Sequence, residues 1–536
     1  MQLPARDIVR DYTEAVFRRA RVPMEPLNFE VDWVDQPSRH TAYPGATPVP
    51  LPARLPELAT LRELFTREPA DPAGWSMERL AILLRLSYGV LDRRMTVNWN
   101  QDVAKRAHFE HAVWGRGTAS GGGMYPVEVY LVAGASAPLL PGVYHYDTGR
   151  HVLQRLLVGD VSDSIRAGLA EPEQADSFLV ASLRFWKNSF KYNSFCYHVV
   201  TQDLGALLGS WELLASALGA PLRRLLCFDP EPMDRLLGFD SDQQSTFAVV
   251  PLTWSGAGDP AAPVVDQPIP PTPVQVRHTP HERSRRVQQF PTVTEVHRAA
   301  ATAVVVDPAA VAAAAPRPLP GDPVELAAPR LDLLDRPLST VLATRSSSFG
   351  RFRRPPELTV ADLGTTLAFA AAGRPQPADA GLPADTPALT RLWVFANHLD
   401  GLPAGGYAYC PRRHALLPVA PEPEAGMSAF LQQQYFLTNY TMGQVGAVLA
   451  ISGRLDAVLD AYGPRGYRIL NAEIGAVAQR VYCATTAQRI GCGAVLGFDN
   501  VSMDEALGLT DTDERTVLFL LLGRNAEAVA DLEYRL

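Results

Sequence analysis

Lysine is almost absent from this sequence of 536 residues. Of the 49 basic residues, only Lys105, Lys187 and Lys191 are lysines, and all the others are arginines. Because a guanidinium group keeps its proton in proteins, arginine supplies charge but cannot act as a titratable amine. We therefore expect a remaining lysine to do chemistry, with chance retention as the alternative. Lys105 and Lys187 are predicted to lie on the solvated surface, which directs attention to Lys191.

Other absences exclude whole classes of protein. No stretch approaches the roughly 20 apolar residues of a membrane span, and the first residues lack the apolar core of a secretion signal. A net charge of −8 and a pI near 5.8 give no basic surface for nucleic acid. The five cysteines show no CxxC and no zinc-ligand spacing. We expect a soluble, cytoplasmic protein with reduced thiols, no metal, no membrane association and no nucleic-acid partner.

The clearest positive feature is an internal duplication. A series of matching residues recurs at a constant separation of 270 positions. These are Tyr197 and Tyr467, Gly205 and Gly475, Phe228-Asp229 and Phe498-Asp499, and Leu237-Gly238 and Leu507-Gly508. Further upstream, the pattern Tyr144-x-Tyr146-x4-His151 recurs as Tyr407-x-Tyr409-x4-His414. A constant register over this length indicates two fused copies of one domain rather than a solenoid.

Length and composition fit two domains joined by a linker. A chain of 536 residues is too long for one core, and domains of about 200–250 residues are expected. We assign residues 1–255 to the first domain and residues 331–536 to the second. The segment 256–330 is rich in proline and alanine, which predicts a semi-rigid and partly extended linker. Predicted helices and antiparallel strands mix without a regular βαβ alternation, so the fold class is α+β.

A glycine-rich turn over residues 115–123 precedes a predicted strand at 127–133. A dinucleotide-binding fingerprint follows a strand and opens a helix, so this order argues against a dinucleotide fold. A plain flexible turn is the other alternative. The residues that flank the turn carry a more specific signal.

The motifs of the two copies resemble one family in their order. Residues 119–130, Ala-Ser-Gly-Gly-Gly-Met-Tyr-Pro-Val-Glu-Val-Tyr, resemble the Pro-Ser-x-Gly-x-Leu-Tyr-Pro-x-Glu-x-Tyr signature of nitroreductase-like azoline dehydrogenases. These are the SagB-type, ThcOx-like flavin enzymes of ribosomal peptide pathways, which make thiopeptides and other azole-containing products. Residues 141–147 with His151 resemble the family's next motif, a Gly-x-Tyr-x-Tyr segment closed by a histidine. In the second copy, residues 345–352 resemble its Arg-Arg-Ser-Ser phosphate motif, and Gly523-Arg524 resembles its phosphate-binding C-terminus.

The resemblance covers nearly all of both copies, and each copy keeps a different part of the family's flavin site. The first has the Ser120–Gly122 turn but no Arg-x-Ser motif, whereas the second has Arg345 and Ser347 but no Ser-Gly-Gly turn. In this family the flavin lies at the dimer interface, where one subunit supplies the phosphate arginines and the other the Ser-x-Gly loop. The resemblance therefore implies two tandem nitroreductase-like domains that form an intramolecular pseudodimer, with one composite site and about one FMN per chain.

The resemblance also assigns residues to each part of the flavin. The cofactor-binding residues are Ser120, Gly121 and Gly122 beside the ring, Val495 and Gly497 at its N5 edge, and Arg345, Ser346, Ser347 and Arg524 at the phosphate. A planar guanidinium suits a phosphate dianion, and glycine lets the backbone approach a flat ring. The alternatives are that Arg345 is a solvated surface charge and that Gly497 only terminates a turn.

Lys191 and Tyr192 stand where the family places its catalytic Lys-Tyr pair, and the second copy has no such pair. Oxidation of a thiazoline or oxazoline removes a hydride equivalent, which the flavin takes, and a proton, which a side chain must take. A partly buried lysine beside a tyrosine can lower one of the two pKa values, and which of the two is the base stays open. A structural Lys-Tyr pair at a helix entrance is the alternative.

These assignments predict an FMN-dependent azoline dehydrogenase. It converts thiazolines or oxazolines of a ribosomally made precursor peptide into thiazoles or oxazoles, after a cyclodehydratase partner has formed the rings. Two other functions stay open: a nitroreductase-like flavin reductase that acts on small acceptors, and a flavin-free scaffold subunit of a peptide-modifying complex.

Overall fold

Two antiparallel sheets, one from each copy of the duplicated domain, form the framework of the protein. The computed structural model describes residues 3–67, 72–96, 113–256, 274–302, 306–354, 357–373, 379, 386–526 and 531–535. In spatial order, the first sheet consists of β1 (Thr47–Pro50), β6 (Val152–Val158), β5 (Gly142–Asp147), β4 (Val127–Ala133), β7 (Ser177–Arg184) and β8 (Gln244–Leu252). The second consists of β16 (Gly491–Val495), β17 (Glu514–Gly523), β15 (Ala447–Arg454), β11 (Thr390–Ala396), β13 (Gly405–Cys410), β14 (Ala415–Pro421) and β9 (Val324–Glu325).

Two smaller pairings complete the strands. A three-stranded sheet joins the C-terminal strand to the first copy, because β18 (Asp531–Arg535) pairs with β2 (Asp92–Thr96), which also pairs with β3 (Val113–Gly115). A short parallel pair is formed by β10 (Leu358–Thr359) and β12 (Leu399–Asp400). Matching strand orders in the two large sheets, with helices between them, confirm the α+β prediction.

The helices are long only where the two copies meet. Those of the first copy are α1 (Ala5–Arg18), α2 (Leu61–Thr66), α3 (Met77–Tyr88), α4 (Ser162–Arg166), α5 (Trp186–Tyr192), α6 (Cys196–Leu218) and α7 (Glu231–Leu237). Those that follow are α8 (Pro291–Ala300), α9 (Pro308–Ala313), α10 (Leu338–Thr344), α11 (Val360–Ala371), α12 (Met427–Gln434), α13 (Leu455–Tyr462), α14 (Gly466–Ala487) and α15 (Asn500–Ala506). Because α6 and α14 are apolar around most of their circumference, both are buried along most of their length.

Helices α6 and α14 pack against each other about a pseudo-two-fold axis. A Cβ atom at Gly205 would lie 2.0 Å from the carbonyl oxygen of Ala472, and one at Gly475 would lie 2.0 Å from that of Gln202. Gln202 and Ala472 are themselves 270 positions apart, so these two contacts are symmetry mates. The repeated glycines are therefore explained by the close approach of two helix backbones.

The hydrogen bonds of the two copies match as well as their sequences do. The Tyr146 hydroxyl lies 2.9 Å from Nδ1 of His151, and the Tyr409 hydroxyl lies 2.9 Å from Nδ1 of His414. Each pair closes the turn between neighbouring strands, β5 and β6 in the first copy and β13 and β14 in the second. The duplication read from the sequence is thus repeated in side-chain geometry.

The segment predicted to be a partly extended linker contains regular structure in its described part. Helix α8 packs on α1 and α9 packs on α13, while β9 extends the second sheet by pairing with β14. Val293, Val296 and Ala300 are buried in this packing. Composition alone missed these helices because proline at the first helical turn, as at Pro291 and Pro308, starts a helix rather than breaking it.

Within the described ranges, no helix is long and apolar enough to cross a membrane. In the same part of the chain, no three histidine, cysteine or acidic residues come together in a group that could hold a metal ion.

Substitution of Gly205 by alanine is expected to lower the free energy of unfolding by about 3 kcal/mol, because the new methyl group would overlap a backbone carbonyl that cannot move away. Urea denaturation would measure the change. Gly149→Ala is the matched control, since its nearest neighbour, His40 Cγ, would lie 3.4 Å away. Equal stability of the two variants would contradict the close helix contact.

Candidate functional site

The glycine-rich turn and the Lys-Tyr pair come together in the structure. A Cβ atom at Gly122 would lie 2.6 Å from the Tyr192 hydroxyl and 3.2 Å from the Lys191 ammonium nitrogen. Gly122 also has φ of +62°, so glycine is required there both for its conformation and for space. Lys191 lies 5.6 Å from the ring centroid of Trp33, and no ion pair forms with it in the described part of the chain.

The turn is fastened to α6 by Asp203. The Ser120 hydroxyl and the Gly121 amide each donate a hydrogen bond of 2.7 Å to this carboxylate, and the Tyr125 amide donates to the Ser120 oxygen at 2.9 Å. Burial raises the pKa of Asp203 to about 7, although both hydrogen bonds act in the opposite direction. The Ser120 side chain is therefore used within the protein, and its contact with a flavin stays a prediction.

The second copy repeats this clamp with a different acid. Glu473 stands 270 positions after Asp203 and accepts bonds from the Leu389 amide at 2.8 Å and the Thr390 hydroxyl at 3.2 Å. Its pKa is raised to about 7 by burial. In both copies, an acid at this helix position holds the segment that leads into the first central strand. No role for this acid was predicted from the sequence.

A pH dependence of stability follows from Asp203. Since its folded-state pKa lies above the ordinary value of 3.8, the folded protein binds this proton more tightly than the unfolded chain does. Its contribution to the free energy of unfolding is therefore full at acid pH and is lost as the pH rises towards about 7. Asp203→Asn is expected to remove this slope.

Urea denaturation at several pH values would compare Asp203→Asn with Glu231→Gln, an exposed control. The stability difference between wild type and Asp203→Asn should fall with rising pH and level off above the Asp203 pKa. A difference that does not depend on pH would contradict the assignment.

Gln479 reaches the turn from the second copy. Its side-chain nitrogen donates to the Gly117 carbonyl at 3.0 Å, and its oxygen accepts from the Ala119 amide at 3.0 Å. The side chain is fully buried. Its counterpart in the first copy is Gly209, so only one of the two symmetry-related turns is held in this way. No local motif marks Gln479 in the sequence, so its contact with the turn was not predictable.

Arg345, also from the second copy, contacts the same segment. Its Nε donates to the Gly117 carbonyl at 3.0 Å and one terminal nitrogen donates to the Arg116 carbonyl at 3.1 Å, while the guanidinium lies 5.2 Å from the Tyr482 ring centroid. The other terminal nitrogen, Nη1, is buried without a partner in the described residues, as is the Ser348 hydroxyl. Arg345 is therefore a buried residue rather than a solvated charge, with one donor still available.

Tyr482 connects the arginine segment to the end of β16. Its hydroxyl lies 3.0 Å from the Ser347 hydroxyl and accepts a hydrogen bond of 2.8 Å from the Ala494 amide. Ser346, between Arg345 and Ser347, is partly exposed. The structure thus brings the predicted phosphate residues 345–347 next to the strand that ends at Val495.

Gly497 lies just after that strand. A Cβ atom there would lie 2.6 Å from the Tyr435 ring and 2.8 Å from Leu437, so the glycine is required by packing. Val495 is buried at the strand end. Among the described residues, no acceptor is hydrogen-bonded to the amide of Leu496 or Gly497. These amides remain available to a ligand.

Arg524 is engaged elsewhere. Its guanidinium donates to the Asp362 carboxylate at 3.0 Å and to the carbonyls of Gln488 and Glu357 at 3.2 and 3.3 Å. These contacts tie the end of β17 to the first turn of α11. The structure does not join it to Arg345 through any contact between described residues, and its role at a phosphate stays a prediction.

The symmetry-related location contains an ion-pair cluster of the protein's own side chains. Glu212 accepts from Arg224 at 3.2 Å and from Arg480 at 2.9 Å, and both arginines are buried. Arg480 also packs against Gly373, where a Cβ atom would overlap its guanidinium. Arg224, Glu212 and Arg480 have different counterparts at the location that Arg345 reaches. These counterparts, 270 positions away, are Ala494, Tyr482 and Ser210, respectively.

Asp379 closes the same location from the second copy. Its carboxylate accepts hydrogen bonds from the amides of Leu226 and Cys227 at 3.0 and 2.6 Å. The counterparts of these two amides are those of Leu496 and Gly497. In the part of the chain that the structure describes, therefore, only one of the two symmetry-related sites combines free backbone donors, a free arginine donor and a Lys-Tyr pair.

The prediction that Lys187 lies on the solvated surface is wrong. Its side chain is 4% exposed and forms an ion pair of 2.9 Å with Glu128, which is equally buried. Lys187 is buried because its side of helix α5 packs against β4. Lys191, four residues later in the same helix, lies beside the glycine-rich segment. Lys105 lies outside the described residues.

Comparison with known proteins identifies the architecture. Residues 389–524 match the Nitroreductase family. A crystal structure of a provisionally named nitroreductase from Anabaena variabilis superposes with a TM-score of 0.69 at 22% identity, over 97% of this chain and 99% of that chain. The protein has a nitroreductase-like fold. Because a single chain of similar length matches both halves, two tandem nitroreductase-like domains form an intramolecular pseudodimer.

Two further relatives are more distant or shorter. A provisionally named nitroreductase of Methanocaldococcus jannaschii is 29% identical over 209 residues, which is 39% of this chain and 100% of that protein. The E. coli microcin synthetase McbBCD complex with truncated pro-MccB17 bound is 16% identical over 33% of this chain and 68% of that chain, with a TM-score of 0.28. The latter likeness is too weak to carry an argument. The family match to the nitroreductase-like second domain indicates an oxidoreductase.

Proposed function

We propose that this nitroreductase-like protein is an FMN-dependent dehydrogenase that oxidises thiazolines or oxazolines in a ribosomally made peptide to thiazoles or oxazoles. The observation that carries the proposal is the position of Lys191 and Tyr192 against Gly122, on the side of the pseudodimer that Arg345 reaches. A flavin reductase acting on small acceptors needs no proton-accepting pair, whereas an azoline dehydrogenase does.

The residues present fit a bound FMN. Arg345 Nη1 and the Ser348 hydroxyl are buried donors that no described residue accepts from, and a phosphate supplies strong acceptors for such groups. Ser346 and Ser347 add hydroxyls beside them, and the amides at 496–497, which no described residue accepts from, would be further donors to the flavin. When bound, the flavin supplies a hydride acceptor. The second location lacks these features because Asp379 and the Arg224–Glu212–Arg480 cluster fill it.

Lys191 and Tyr192 are proposed to accept the proton that the azoline ring loses. An azoline ring loses a proton from one carbon and a hydride equivalent from its neighbour as it becomes aromatic, and molecular oxygen is the final electron acceptor. The Lys191 ammonium lies 5.2 Å from the centroid of the Tyr192 ring, so the two groups stand side by side. The pair would accept the substrate proton beside the glycine-rich turn, where both side chains lie close to Gly122.

The chemistry also implies what must come before this step. An azoline arises when a cysteine, serine or threonine side chain attacks the preceding peptide carbonyl with loss of water. We therefore propose that a cyclodehydratase supplies the azoline-containing precursor peptide and acts as a partner.

A second candidate is a flavin reductase that acts on small acceptors. It is favoured by the M. jannaschii relative, which is named after nitroreductases. The two functions differ in their need for Lys191, because hydride transfer to a small acceptor proceeds without a side-chain base at this position.

The test is to incubate the purified protein with a synthetic azoline peptide. We expect a yellow protein and a mass loss of about 2 Da for each ring oxidised, the mass of the proton and hydride removed. A yellow protein that reduces small acceptors but leaves the azoline mass unchanged would favour the second candidate. A colourless protein that takes up no FMN would leave the scaffold function.

A further inference from the structure

We propose that the buried ion pair between Lys187 and Glu128 positions the catalytic Lys191–Tyr192 pair, an inference that rests on the azoline oxidation proposed above. The pair is a positioning element, because neither side chain faces the site itself.

The contacts of this pair fix both side chains. Lys187 Nζ lies 2.9 Å from Glu128 Oε1 and donates a second bond of 3.2 Å to the Arg39 carbonyl. The Thr41 hydroxyl donates to Glu128 Oε1 at 2.5 Å, and Glu128 Oε2 lies 2.9 Å from Nε2 of His145. Although burial opposes ionisation, the Lys187 charge and the His145 bond bring the pKa of Glu128 below its ordinary value. Glu128 is therefore held ionised with both oxygens occupied.

The pair joins the two elements that meet at the site. Lys187 lies in α5, one helical turn before Lys191, and Glu128 lies in β4, five positions after Gly123. A displacement of α5 along β4 would change the distance from Lys191 and Tyr192 to the turn that contains Gly122. The Lys187–Glu128 ion pair at this junction therefore determines the positions of the Lys191 ammonium and the Tyr192 phenol.

The second copy shows that the fold does not need the pair. Ala457 occupies the position of Lys187 there, Arg391 that of Glu128 and Ala408 that of His145. Strand β11 and helix α13 nevertheless form in the same arrangement.

The copy that lacks the ion pair also lacks the catalytic lysine, which is replaced by Ala461. Burying two charges costs free energy that apolar residues of similar size would avoid. In the second copy Arg391 of β11 pairs instead with Glu514 of β17, so an ion pair that joins the central strand to the short helix occurs only in the copy that carries the catalytic pair, which points to positioning rather than to stability.

The experiment removes both charges together, in the double variant K187M/E128Q, so that no unpaired charge is left buried. The matched control is R391M/E514Q, which removes an ion pair of 3.1 Å between partly buried Arg391 and buried Glu514 in the second copy. We expect K187M/E128Q to keep its FMN and to lose about 10²-fold in kcat for azoline oxidation, with a shifted pH profile. The control should change thermal stability alone.

A second readout does not depend on activity. Because the chain has only three lysines, reductive methylation with isotope-labelled formaldehyde gives few resonances, and that of Lys191 can be assigned with Lys191→Arg. We expect the titration midpoint of Lys191 to move in K187M/E128Q and to stay in place in R391M/E514Q. Lys187→Arg, which keeps the charge but changes the geometry, should show a smaller shift and serves if the double variant fails to fold.

The outcomes separate this inference from the proposed function. Unaltered kcat, pH profile and Lys191 titration in the Lys187 variants would overturn the positioning role. If wild-type protein leaves azolines unchanged while the Lys191 titration still moves, the positioning role stands and the proposed function fails.

Discussion

Replacement of Lys191 by alanine is expected to slow azoline oxidation by about 10²–10⁴-fold, the contribution of a side chain that manages a proton in the transition state. The protein should stay yellow, because Lys191 meets the turn at Gly122 rather than the segment that carries Arg345. Steady-state kinetics on an azoline peptide, with flavin content from the visible spectrum, would measure both effects. Loss of colour would reassign Lys191 to cofactor binding.

Two conservative variants sharpen this prediction. Lys191→Arg should fail almost as badly as Lys191→Ala if a titratable or compact ammonium is needed, because arginine supplies charge alone. Tyr192→Phe should retain flavin and lose activity. Its matched control is Tyr462→Phe, which alters the buried counterpart 270 positions later. Activity near that of wild type in Lys191→Arg would show that charge suffices.

The second large effect is expected for Arg345→Ala. The guanidinium is buried and its free Nη1 has no partner among the described residues, so removing it deletes a charge-assisted contact worth about 1.5–3 kcal/mol. FMN should then bind about 10- to 100-fold more weakly, as measured by fluorescence titration of the apoprotein. An unchanged dissociation constant would remove Arg345 from the phosphate site.

Arg524→Ala and Arg330→Ala complete that experiment. Arg330 forms an exposed ion pair with Asp332, so its loss should leave FMN affinity unchanged. Arg524 is bonded to Asp362 in the structure, and its variant tests the predicted phosphate contact directly. Weaker FMN binding in Arg524→Ala would support that contact, whereas a change in stability alone would assign it to the β17–α11 junction.

Features carried by local sequence were predictable. The duplication could be read because paired helix glycines and Tyr-His turns are required by backbone contacts that both copies keep. The family resemblance assigned the glycine-rich turn, Lys191 and Tyr192 to one site, and in the structure Gly122 lies beside both side chains. The role of Arg345 at a phosphate stays a prediction, and its burial was not predictable from a serine-rich segment.

Features that depend on contacts across the pseudo-two-fold axis were not predictable. Gln479 lies more than 350 positions from the turn that it holds, and no motif marks it. Filling of the second location depends on Arg224, Arg480 and Asp379, which come from three separate segments. Lys187 was misassigned because a lysine in a short helix gives no sign that its partner, Glu128, is buried in a strand.

A single-turnover experiment without oxygen tests the central claim most directly. Flavin-loaded protein is mixed with excess azoline peptide, and the azole formed is counted by mass spectrometry while the flavin absorbance is followed. With one composite site and no reoxidation, we predict one azole per chain and complete loss of the yellow colour. Two azoles per chain would contradict the single site, and an unchanged peptide beside an unchanged spectrum would contradict the proposed oxidation.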